Sequence, residues 1–287
     1  MNEWLSKANI LIEALPYIQR FAGKTVVVKY GGNAMTSQEV THSILEDITL
    51  LKYVGVNPIV VHGGGPEINK MLELKQIPTK FHNGLRITDA DTMEVVQMVL
   101  SGKINKDVVA ELNALGAKAI GLCGKDANLI QVVKLVPEDG VDLGFVGQVT
   151  GINQRLLNFL AADEYIPVIA PIGVDETGQS YNINADTVAG AIASALGAEK
   201  LIFLTDVDGI RMVADDPSTL ISEITVDTIH QLIQEGVITG GMIPKVHGCV
   251  QGIEQGVKQT HILDGRIMHP ILLELFTDAG IGTMVHA

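Results

Sequence analysis

Two glycine-rich turns, each directly after an apolar stretch, contain the residues of this sequence best suited to binding a phosphate. Lys29-Tyr30-Gly31-Gly32-Asn33 follows Thr25 to Val28, and His62-Gly63-Gly64-Gly65-Pro66 follows Pro58 to Val61. Because glycine has no Cβ, the N–H groups of such turns can converge on an anion, and a following helix adds the positive end of its dipole. Lys29 would supply a mobile positive charge beside those amides. The alternative is that both runs are tight turns that only connect a strand to a helix.

Three further segments place polar or charged side chains where an apolar run ends or a helix begins. These are Asn182-Ile183-Asn184-Ala185-Asp186, Thr205-Asp206-Val207-Asp208-Gly209 and Gly240-Gly241-Met242-Ile243-Pro244-Lys245. A lysine near the positive end of a helix gains nothing from the dipole, so Lys245 indicates a bound anion. Each segment also has a purely structural interpretation: Asp186 as a helix N-cap, the second segment as an acidic turn, and Lys245 as a solvated surface residue.

Asn83-Gly84-Leu85-Arg86 places an arginine directly after a glycine turn. The planar guanidinium of Arg86 is suited to bidentate binding of a carboxylate. The classical P-loop pattern fails at both of its partial matches, Gly23-Lys24 and Gly124-Lys125, which excludes that class of ATPase. The eight histidines show no spacing typical of metal ligands, so we predict no metal site built by the protein.

The elements that must position these residues alternate between strand-like apolar runs and helical patterns. Thr88 with Asp91 opens a helix that reaches about Leu115, and the segment Gly140 to Gly151 favours a hairpin over a crossover. Strand-like runs recur at Ala119 to Leu122, Leu129 to Lys134, Pro167 to Ile172, Leu201 to Thr205, Thr260 to Leu263 and Gly282 to Val285. This alternation predicts an α/β fold with a mainly parallel sheet and helices on both faces.

Apolar residues from Trp4 to Ile18 recur at helical spacing, ahead of the first strand. They predict an amphipathic helix that Pro16 kinks or ends. This helix could pack on its own domain or extend to a neighbouring subunit. The 287 residues fit one large α/β unit or two lobes.

Composition narrows the class of protein further. Hydrophobic residues make up 47% and aromatic residues only 4%, a balance expected of small aliphatic side chains packed between helices and a parallel sheet. We expect neither a membrane span nor a signal peptide, and the two distant cysteines, Cys123 and Cys249, favour a reduced, cytoplasmic location. The net charge of −13 argues against nucleic acid as a partner.

Together and in this order, these segments resemble the amino acid kinase family over Thr25 to Val285, most closely its branch that phosphorylates N-acetyl-L-glutamate. Lys-x-Gly-Gly alone suits several members, and the other five segments make the resemblance specific. It implies a three-layer αβα sandwich with an eight-stranded, mainly parallel sheet. It also implies an N-terminal helix (residues 1–21), an acceptor lobe (22–185) and a nucleotide-binding lobe (186–287).

Site residues carried over from the resemblance fall into four groups. The catalytic group consists of Lys29 and Lys245, which would balance charge on the transferring phosphoryl group, and Asp186, which would hold both lysines. Phosphate contacts are implied for Gly31, Gly32, Gly64 and Gly65. Substrate contacts are implied for Gly64, Gly65, Arg86 and Asn182, and nucleotide contacts for Thr205, Asp206, Val207, Gly209 and Lys245.

The implied substrates are ATP, with Mg²⁺ carried by the nucleotide, and N-acetyl-L-glutamate, whose γ-carboxylate would be the nucleophile. A carboxylate is already deprotonated at pH 7, so the reaction needs no general base. Catalysis then depends on in-line positioning and on neutralising charge across the phosphoryl oxygens. This requirement matches two lysines and a set of glycine N–H groups.

The N-terminal helix and the segment from His261 to Thr283 resemble the arginine-inhibited branch of these kinases. That resemblance implies a hexamer built as a trimer of dimers, with arginine bound between the helix and the C-terminal lobe. Tyr17, Glu274 and Gly280 are the candidate arginine contacts, and a PII-type protein is a candidate regulatory partner.

Two other functions remain open: a kinase for a related N-blocked amino acid of the aminoadipate type, and a non-catalytic sensor of arginine or nucleotide. The sensor is disfavoured because the chain keeps Lys29, Asp186, Lys245 and both glycine turns.

Overall fold

An eight-stranded sheet runs through the centre of the protein, described here from a computed structural model for residues 2–31, 37–278 and 280–287. Strands and helices are numbered along the chain. Across the sheet the order is β14 (Glu223–Thr225), β16 (Thr283–His286), β15 (Gln259–Asp264), β11 (Lys200–Thr205), β1 (Thr25–Tyr30), β2 (Asn57–His62), β8 (Ile166–Ile169) and β5 (Ala119–Leu122). Neighbouring strands are parallel except β15 with β16. The predicted eight-stranded, mainly parallel sheet is confirmed.

Helices cover both faces of this sheet, because successive side chains of a strand point to opposite sides. Val26 and Val28 pack into one hydrophobic cluster and Val27 into the other. Helices contributing to the first cluster are α3 (Gln38–Tyr53), α4 (Gly65–Leu74), α5 (Ala90–Gln97), α6 (Asn105–Ala114) and α11 (Pro270–Leu275). Those contributing to the second are α7 (Gln154–Ala162), α8 (Ala185–Ala195), α9 (Val226–Gln234) and α10 (Met242–Glu254). The predicted αβα sandwich is therefore confirmed.

A second sheet has four strands in the order β10 (Ser180–Asn182), β9 (Ile172–Val174), β6 (Ile130–Lys134) and β7 (Gly147–Ile152). Strands β6 and β7 are antiparallel, so the hairpin predicted around Gly140 to Gly151 is confirmed. The single strand predicted at Pro167 to Ile172 is wrong, because the chain leaves the central sheet after Ile169 and enters the second sheet at Ile172.

Several elements are only two or three residues long. Besides β9, β10 and β14, they are the strand pairs β3 (Phe81–His82) with β4 (Leu85–Arg86) and β12 (Ile210–Arg211) with β13 (Leu220–Ile221), and the 3₁₀ turns Asp126–Asn128 and Pro217–Thr219. The hairpin of β3 and β4 carries Arg86 to the site described below.

The long helix predicted after Thr88 is a continuous run of α5, a π-helical segment (Met98–Ile104) and α6. Its N-cap is Asp89, whose carboxylate accepts from the Thr92 N–H, so the capping box predicted at Thr88 is wrong by one residue. The Thr88 hydroxyl instead donates to the Arg86 carbonyl.

The N-terminal segment forms two helices, α1 (Asn2–Glu13) and α2 (Leu15–Phe21), with Pro16 in the first turn of α2. The predicted helix divided by Pro16 is confirmed. Three large apolar side chains of α1, those of Trp4, Leu11 and Ile12, are at least 67% exposed. Within the described residues, every helix is too short or too polar to cross a membrane.

Candidate active site

Three cavities lie in a row at the carboxyl ends of β1, β2 and β11, where ligands of open α/β sheets collect. The Arg86 cavity encloses about 270 Å³, the Lys245 cavity about 170 Å³ and the Arg211 cavity about 370 Å³. The first two share Lys29 and Asp186 in their walls, and the last two share Asp206. A larger cavity of about 880 Å³ lies against the second sheet and contains none of the predicted site residues.

The two glycine turns touch each other, as expected for strands that are neighbours in the sheet. The Gly63 N–H donates to the Tyr30 carbonyl at 2.7 Å. A Cβ at Gly31 would lie 2.8 Å from the Gly63 nitrogen, so this close approach requires glycine. Gly32 lies outside the described residues, and its predicted phosphate contact stays a prediction.

Gly64 and Gly65 lie in the wall of the Arg86 cavity. Within the described part of the chain, neither N–H donates to another group, which leaves both available to a ligand. Leu100 and Ile104 of the π-helical segment cover the other side of Gly64, where a Cβ would lie within 2.6 Å of both side chains. One side of the second turn is thus covered by Leu100 and Ile104, and the other side faces the Arg86 cavity.

Lys29 and Asp186 form an ion pair, with Nζ 3.0 Å from Oδ1. The alternative interpretation of Asp186 as the N-cap of α8 is wrong. The cap is Asn184, whose side-chain oxygen accepts from the N–H groups of Asp186 and Thr187. Because Asn184 satisfies the helix end, the Asp186 carboxylate is available to Lys29.

Lys245 lies in the first turn of α10, and its Nζ donates to Asp206 Oδ1 at 2.6 Å. The resemblance implied that Asp186 holds both lysines. Here each lysine has its own carboxylate, Asp186 for Lys29 and Asp206 for Lys245. All four side chains line the Lys245 cavity, so two positive charges face one small volume.

Arg86 is buried in the wall of its cavity. Its Nη2 donates to Asn69 Oδ1 at 2.7 Å, and the Phe81 ring lies 4.7 Å from the guanidinium carbon. Its Nη1 is buried and has no hydrogen-bond partner among the residues that the structure describes. Burial lowers the pKa of Arg86, although a guanidinium stays charged at neutral pH. A buried, charged donor without a partner is costly, so this atom indicates an anionic ligand.

Asn182 lies on the same wall, where its Nδ2 donates to Thr88 Oγ1 at 3.2 Å. Thr88 is fully buried and joins Asn182 to the Arg86 backbone, so it links two predicted substrate contacts. Sequence reasoning missed Thr88 and Asn69 as supports of the site. In the sequence, only the polar character of Thr88 and Asn69 indicated that they could support the site.

The predicted nucleotide segment divides between two cavities. Asp206, Val207 and Gly209 line the Arg211 cavity, whereas Thr205 lines only the Lys245 cavity. The Thr205 hydroxyl forms a hydrogen bond within its own turn, where it accepts from the Val207 N–H at 3.2 Å.

Arg211 and Arg266, which sequence reasoning missed, also line the Arg211 cavity. Each pairs with an aspartate close in the chain: Arg211 with Asp208 at 2.7 Å and Arg266 with Asp264 at 2.8 Å. The cavity therefore combines two guanidinium groups with apolar side chains such as Ile238, a combination suited to a ligand with both charged and apolar parts.

A model of the amino acid kinase family matches residues 24–264. An acetylglutamate kinase of Caldicellulosiruptor saccharolyticus is 60% identical over 289 residues, which cover 100% of this chain and 98% of that protein. The chain belongs to the acetylglutamate kinases. Another member, from Geobacter sulfurreducens, is 53% identical over 294 residues that cover 100% of both chains.

Among solved structures, N-acetylglutamate synthase from Neisseria gonorrhoeae, complexed with coenzyme A and N-acetyl-glutamate, superposes with a TM-score of 0.86 at 24% identity. The match covers 98% of this chain and 63% of the synthase chain. At that identity the likeness shows a shared fold. The described residues of this acetylglutamate kinase family member contain no group of three or more His, Cys, Asp or Glu residues that could hold a metal ion.

The predicted arginine contacts lie near the opposite end of β11. Glu274 is buried, and its Oε1 accepts from His261 Nδ1 at 2.7 Å. Its Oε2 accepts from the N–H groups of Ile281 at 2.7 Å and Gly282 at 3.1 Å. A Cβ at Gly280 would lie 2.8 Å from the same oxygen, so Glu274 and Gly280 are in direct contact.

Lys200 completes this buried cluster by donating to His261 Nε2 at 2.8 Å. Burial lowers the pKa of Lys200 to about 8 and also lowers the pKa of His261. For Glu274, burial raises the pKa, but the hydrogen bonds from His261 and from two backbone N–H groups outweigh it, so the net shift is downward. Sequence reasoning missed Lys200 and named His261 only as the first residue of the segment from His261 to Thr283, not as a partner of Glu274.

Tyr17 reaches the same C-terminal segment but not Glu274. Its hydroxyl donates to Asp278, and its ring packs edge-on against Phe276 with 6.4 Å between centroids. The centroid of the Phe21 ring of α2 lies 5.5 Å from Lys200 Nζ, so the structure brings α2 beside the buried cluster.

Proposed function

We propose that this chain transfers the γ-phosphoryl group of ATP to the γ-carboxylate of N-acetyl-L-glutamate, forming N-acetyl-L-glutamyl 5-phosphate, a step of arginine biosynthesis. The observation that carries the proposal is the row of three cavities joined by Lys29, Asp186 and Asp206. An acceptor cavity, a cationic centre and a nucleotide cavity in line are what phosphoryl transfer requires. Names of the full-length relatives support the same substrates.

In this proposal the acceptor binds in the Arg86 cavity. The unpartnered Arg86 Nη1 pairs with its α-carboxylate, and Asn182 contacts the acetamido end. The γ-carboxylate then points toward Lys29 at the junction with the Lys245 cavity. Residues 22–185 would accordingly form the acceptor lobe and residues 186–287 the nucleotide lobe.

The transfer step needs charge neutralisation more than acid–base chemistry. A γ-carboxylate oxygen of the acceptor attacks the γ-phosphorus, the bond from that phosphorus to the β–γ bridging oxygen breaks, and ADP leaves with the electron pair. Lys29 and Lys245 would release their carboxylate partners in part and pair with the phosphoryl oxygens. The N–H groups of Gly31, Gly32, Gly64 and Gly65 would bind the same oxygens.

ATP would occupy the Arg211 cavity, with Asp206, Val207 and Gly209 at its edge. A Mg²⁺ carried by the nucleotide would neutralise phosphate charge. The aspartate oxygens of Asp206 and Asp208 at the cavity wall are hard ligands of the kind this ion prefers, and they suit an ion that ATP supplies rather than a dedicated protein cage.

A coupled assay for ADP release tests the proposal directly. We expect rapid turnover with N-acetyl-L-glutamate and little with glutamate, aspartate or N-acetyl-L-2-aminoadipate, because each differs in the blocked amine or in length. Preference for the aminoadipate would identify the alternative kinase. Binding of ATP without turnover of any acceptor would instead identify a sensor and refute the enzyme.

We also propose that arginine inhibits the enzyme by binding between α2 and the C-terminal segment, near Tyr17, Glu274 and Gly280. The carboxylate of Glu274 supports this proposal, because a carboxylate is a suitable partner for guanidinium. The hydrogen bond from Tyr17 of α2 to the same C-terminal segment also supports it. The exposed apolar side chains of α1 support a hexamer assembled as a trimer of dimers. A PII-type partner and a cytoplasmic location stay predictions.

Deleting residues 1–20 tests the arginine and hexamer proposals together. We expect an active dimer that has lost arginine inhibition, because the deletion removes one wall of the arginine site and the apolar face of α1. Light scattering and an arginine titration measure the two effects. Retained hexamers with unchanged inhibition would mean that the helices only pack on their own subunit.

A further inference from the structure

Two buried polar side chains, His62 and Asn105, lie next to the second glycine turn. The phosphoryl transfer proposed above assigns neither of them a role. His62 is completely inaccessible and Asn105 is 1% exposed. The Asn105 Nδ2 atom lies 3.2 Å from His62 Nε2, and His62 Nδ1 lies 2.9 Å from the Gly63 carbonyl oxygen. The pair therefore connects the start of α6 to the glycine turn.

The neighbours of Asn105 determine which ring nitrogen of His62 carries the proton. Its Oδ1 accepts from Lys106 Nζ at 3.0 Å, and its Nδ2 donates to the Val168 carbonyl at 2.9 Å. The Nδ2 group is also the one that faces His62, so Nε2 must accept and be unprotonated. Burial lowers the pKa of His62 to about 4, so the neutral ring carries its single proton on Nδ1. That proton is donated to the Gly63 carbonyl.

This hydrogen bond sets the direction of the peptide between Gly63 and Gly64. In a trans peptide the carbonyl of one residue and the N–H of the next point in opposite directions. Holding the Gly63 carbonyl toward His62 therefore aims the Gly64 N–H away from it. Gly64 lines the Arg86 cavity, and within the described residues its N–H has no other acceptor.

We propose that His62 is a positioning residue for phosphoryl transfer: its Nδ1–H, kept in that tautomer by Asn105, holds the Gly63–Gly64 peptide so that the Gly64 N–H faces the transferring group. The inference rests on the proposed function. Without the ring donor the peptide can rotate, and Gly64 would present its N–H to the phosphoryl oxygens only part of the time. The loss falls on kcat, because charge on those oxygens redistributes in the transition state.

Two substitutions of the same residue separate positioning from packing. In His62→Asn the amide nitrogen can take the place of Nδ1, one bond beyond Cγ, whereas in His62→Gln the amide lies one bond further out, near the place of Nε2. Both remove the ring and lose similar packing. We expect His62→Asn to keep kcat within about fivefold of the wild type and His62→Gln to lose ~10²-fold. The KM values for both substrates should change little, and the two melting temperatures should be similar.

Equal losses of kcat in both variants would overturn the proposal and reduce His62 to a packing role. Should both variants unfold, ¹⁵N NMR of the histidine-labelled wild type decides the matter: we expect a protonated Nδ1 and a bare Nε2 for His62 at pH 7, and the opposite tautomer would overturn the proposal. Absence of acetylglutamate-dependent turnover in the wild type would refute the proposed function instead. The two failures are thus distinguishable.

Discussion

Strand β11 has a charged cluster near each end, and the two clusters differ in their contact with water. At the carboxyl end, Lys29 and Asp186 are 15% and 45% exposed, and Lys245 and Asp206 are 27% and 42% exposed. At the amino end, the side chains of His261 and Glu274 are 2% and 5% exposed. Both clusters contain lysine and carboxylate groups, so burial rather than composition distinguishes them.

Exposed ion pairs contribute about 0–1 kcal/mol to stability, because water competes for both partners. The two lysines at the carboxyl end can therefore exchange a carboxylate for a phosphate at small cost. Removing one member of the buried hydrogen-bonded cluster costs about 1–3 kcal/mol, because its partner is left unsatisfied away from water. The amino-end cluster is consequently suited to coupling structural elements, and the carboxyl-end cluster to catalysis.

The largest effect is expected at the exposed cluster. Replacing Lys29 or Lys245 with Ala should lower kcat by ~10²-fold or more, since each lysine would stabilise phosphoryl charge in the transition state. Melting temperatures should stay close to that of the wild type. Lys118→Ala, at an exposed lysine 3.6 Å from Glu164, is the matched control and should keep full activity. Wild-type kcat in both site variants would remove these lysines from the mechanism.

A smaller effect is expected at the wall of the acceptor cavity. Arg86→Lys keeps the charge but loses the planar fork that contacts Asn69 and faces the cavity. The KM for N-acetyl-L-glutamate should rise about 10- to 30-fold, as expected when a charged hydrogen bond is lost. The KM for ATP should not change. Separate titrations of the two substrates measure this, and a change confined to ATP would reverse the assignment of the lobes.

The buried cluster should affect regulation and leave the chemistry intact. Glu274→Gln removes the charge proposed to bind arginine, so the arginine concentration for half inhibition should rise by about tenfold. Without arginine, kcat should stay near the wild-type value. Glu164→Gln, at an exposed glutamate, is the control and should leave inhibition unchanged. If Glu274→Gln keeps full inhibition, arginine binds elsewhere.

The last effect concerns stability rather than activity: it is a pH dependence that arises from Lys200. Its pKa is about 8 in the folded protein and 10.5 in the unfolded chain. Between these values the unfolded chain holds a proton that the native state has released, so stability rises with pH. Compared with Lys200→Met, the wild type should gain about 1.4 kcal/mol per pH unit from pH 8 to 10. Denaturant unfolding measures the difference, and parallel curves for the two proteins would contradict the shift.

Local sequence patterns were sufficient for the main strands and for the second glycine turn. An apolar run such as Pro58 to Val61 and the glycines after it act over a few residues, and the structure has β2 and a tight turn there. The three-residue strands β9 and β10 were not predicted, because so short a strand depends on its neighbours in the sheet more than on its own residues. The observed capping residues lie one or two positions from the predicted ones, because several polar side chains compete for each helix end.

The sequence by itself determined the fold class and the residue types of the site, because periodicity, missing Cβ atoms and charge are properties of short segments. Only the tertiary structure decided which of these side chains pair with each other. Asp186 pairs with Lys29 while Lys245 pairs with Asp206, and His62 meets Asn105 across 43 residues of chain. Such contacts depend on where packed elements bring distant side chains, and a side chain buried by that packing must take whichever polar group lies within about 3 Å.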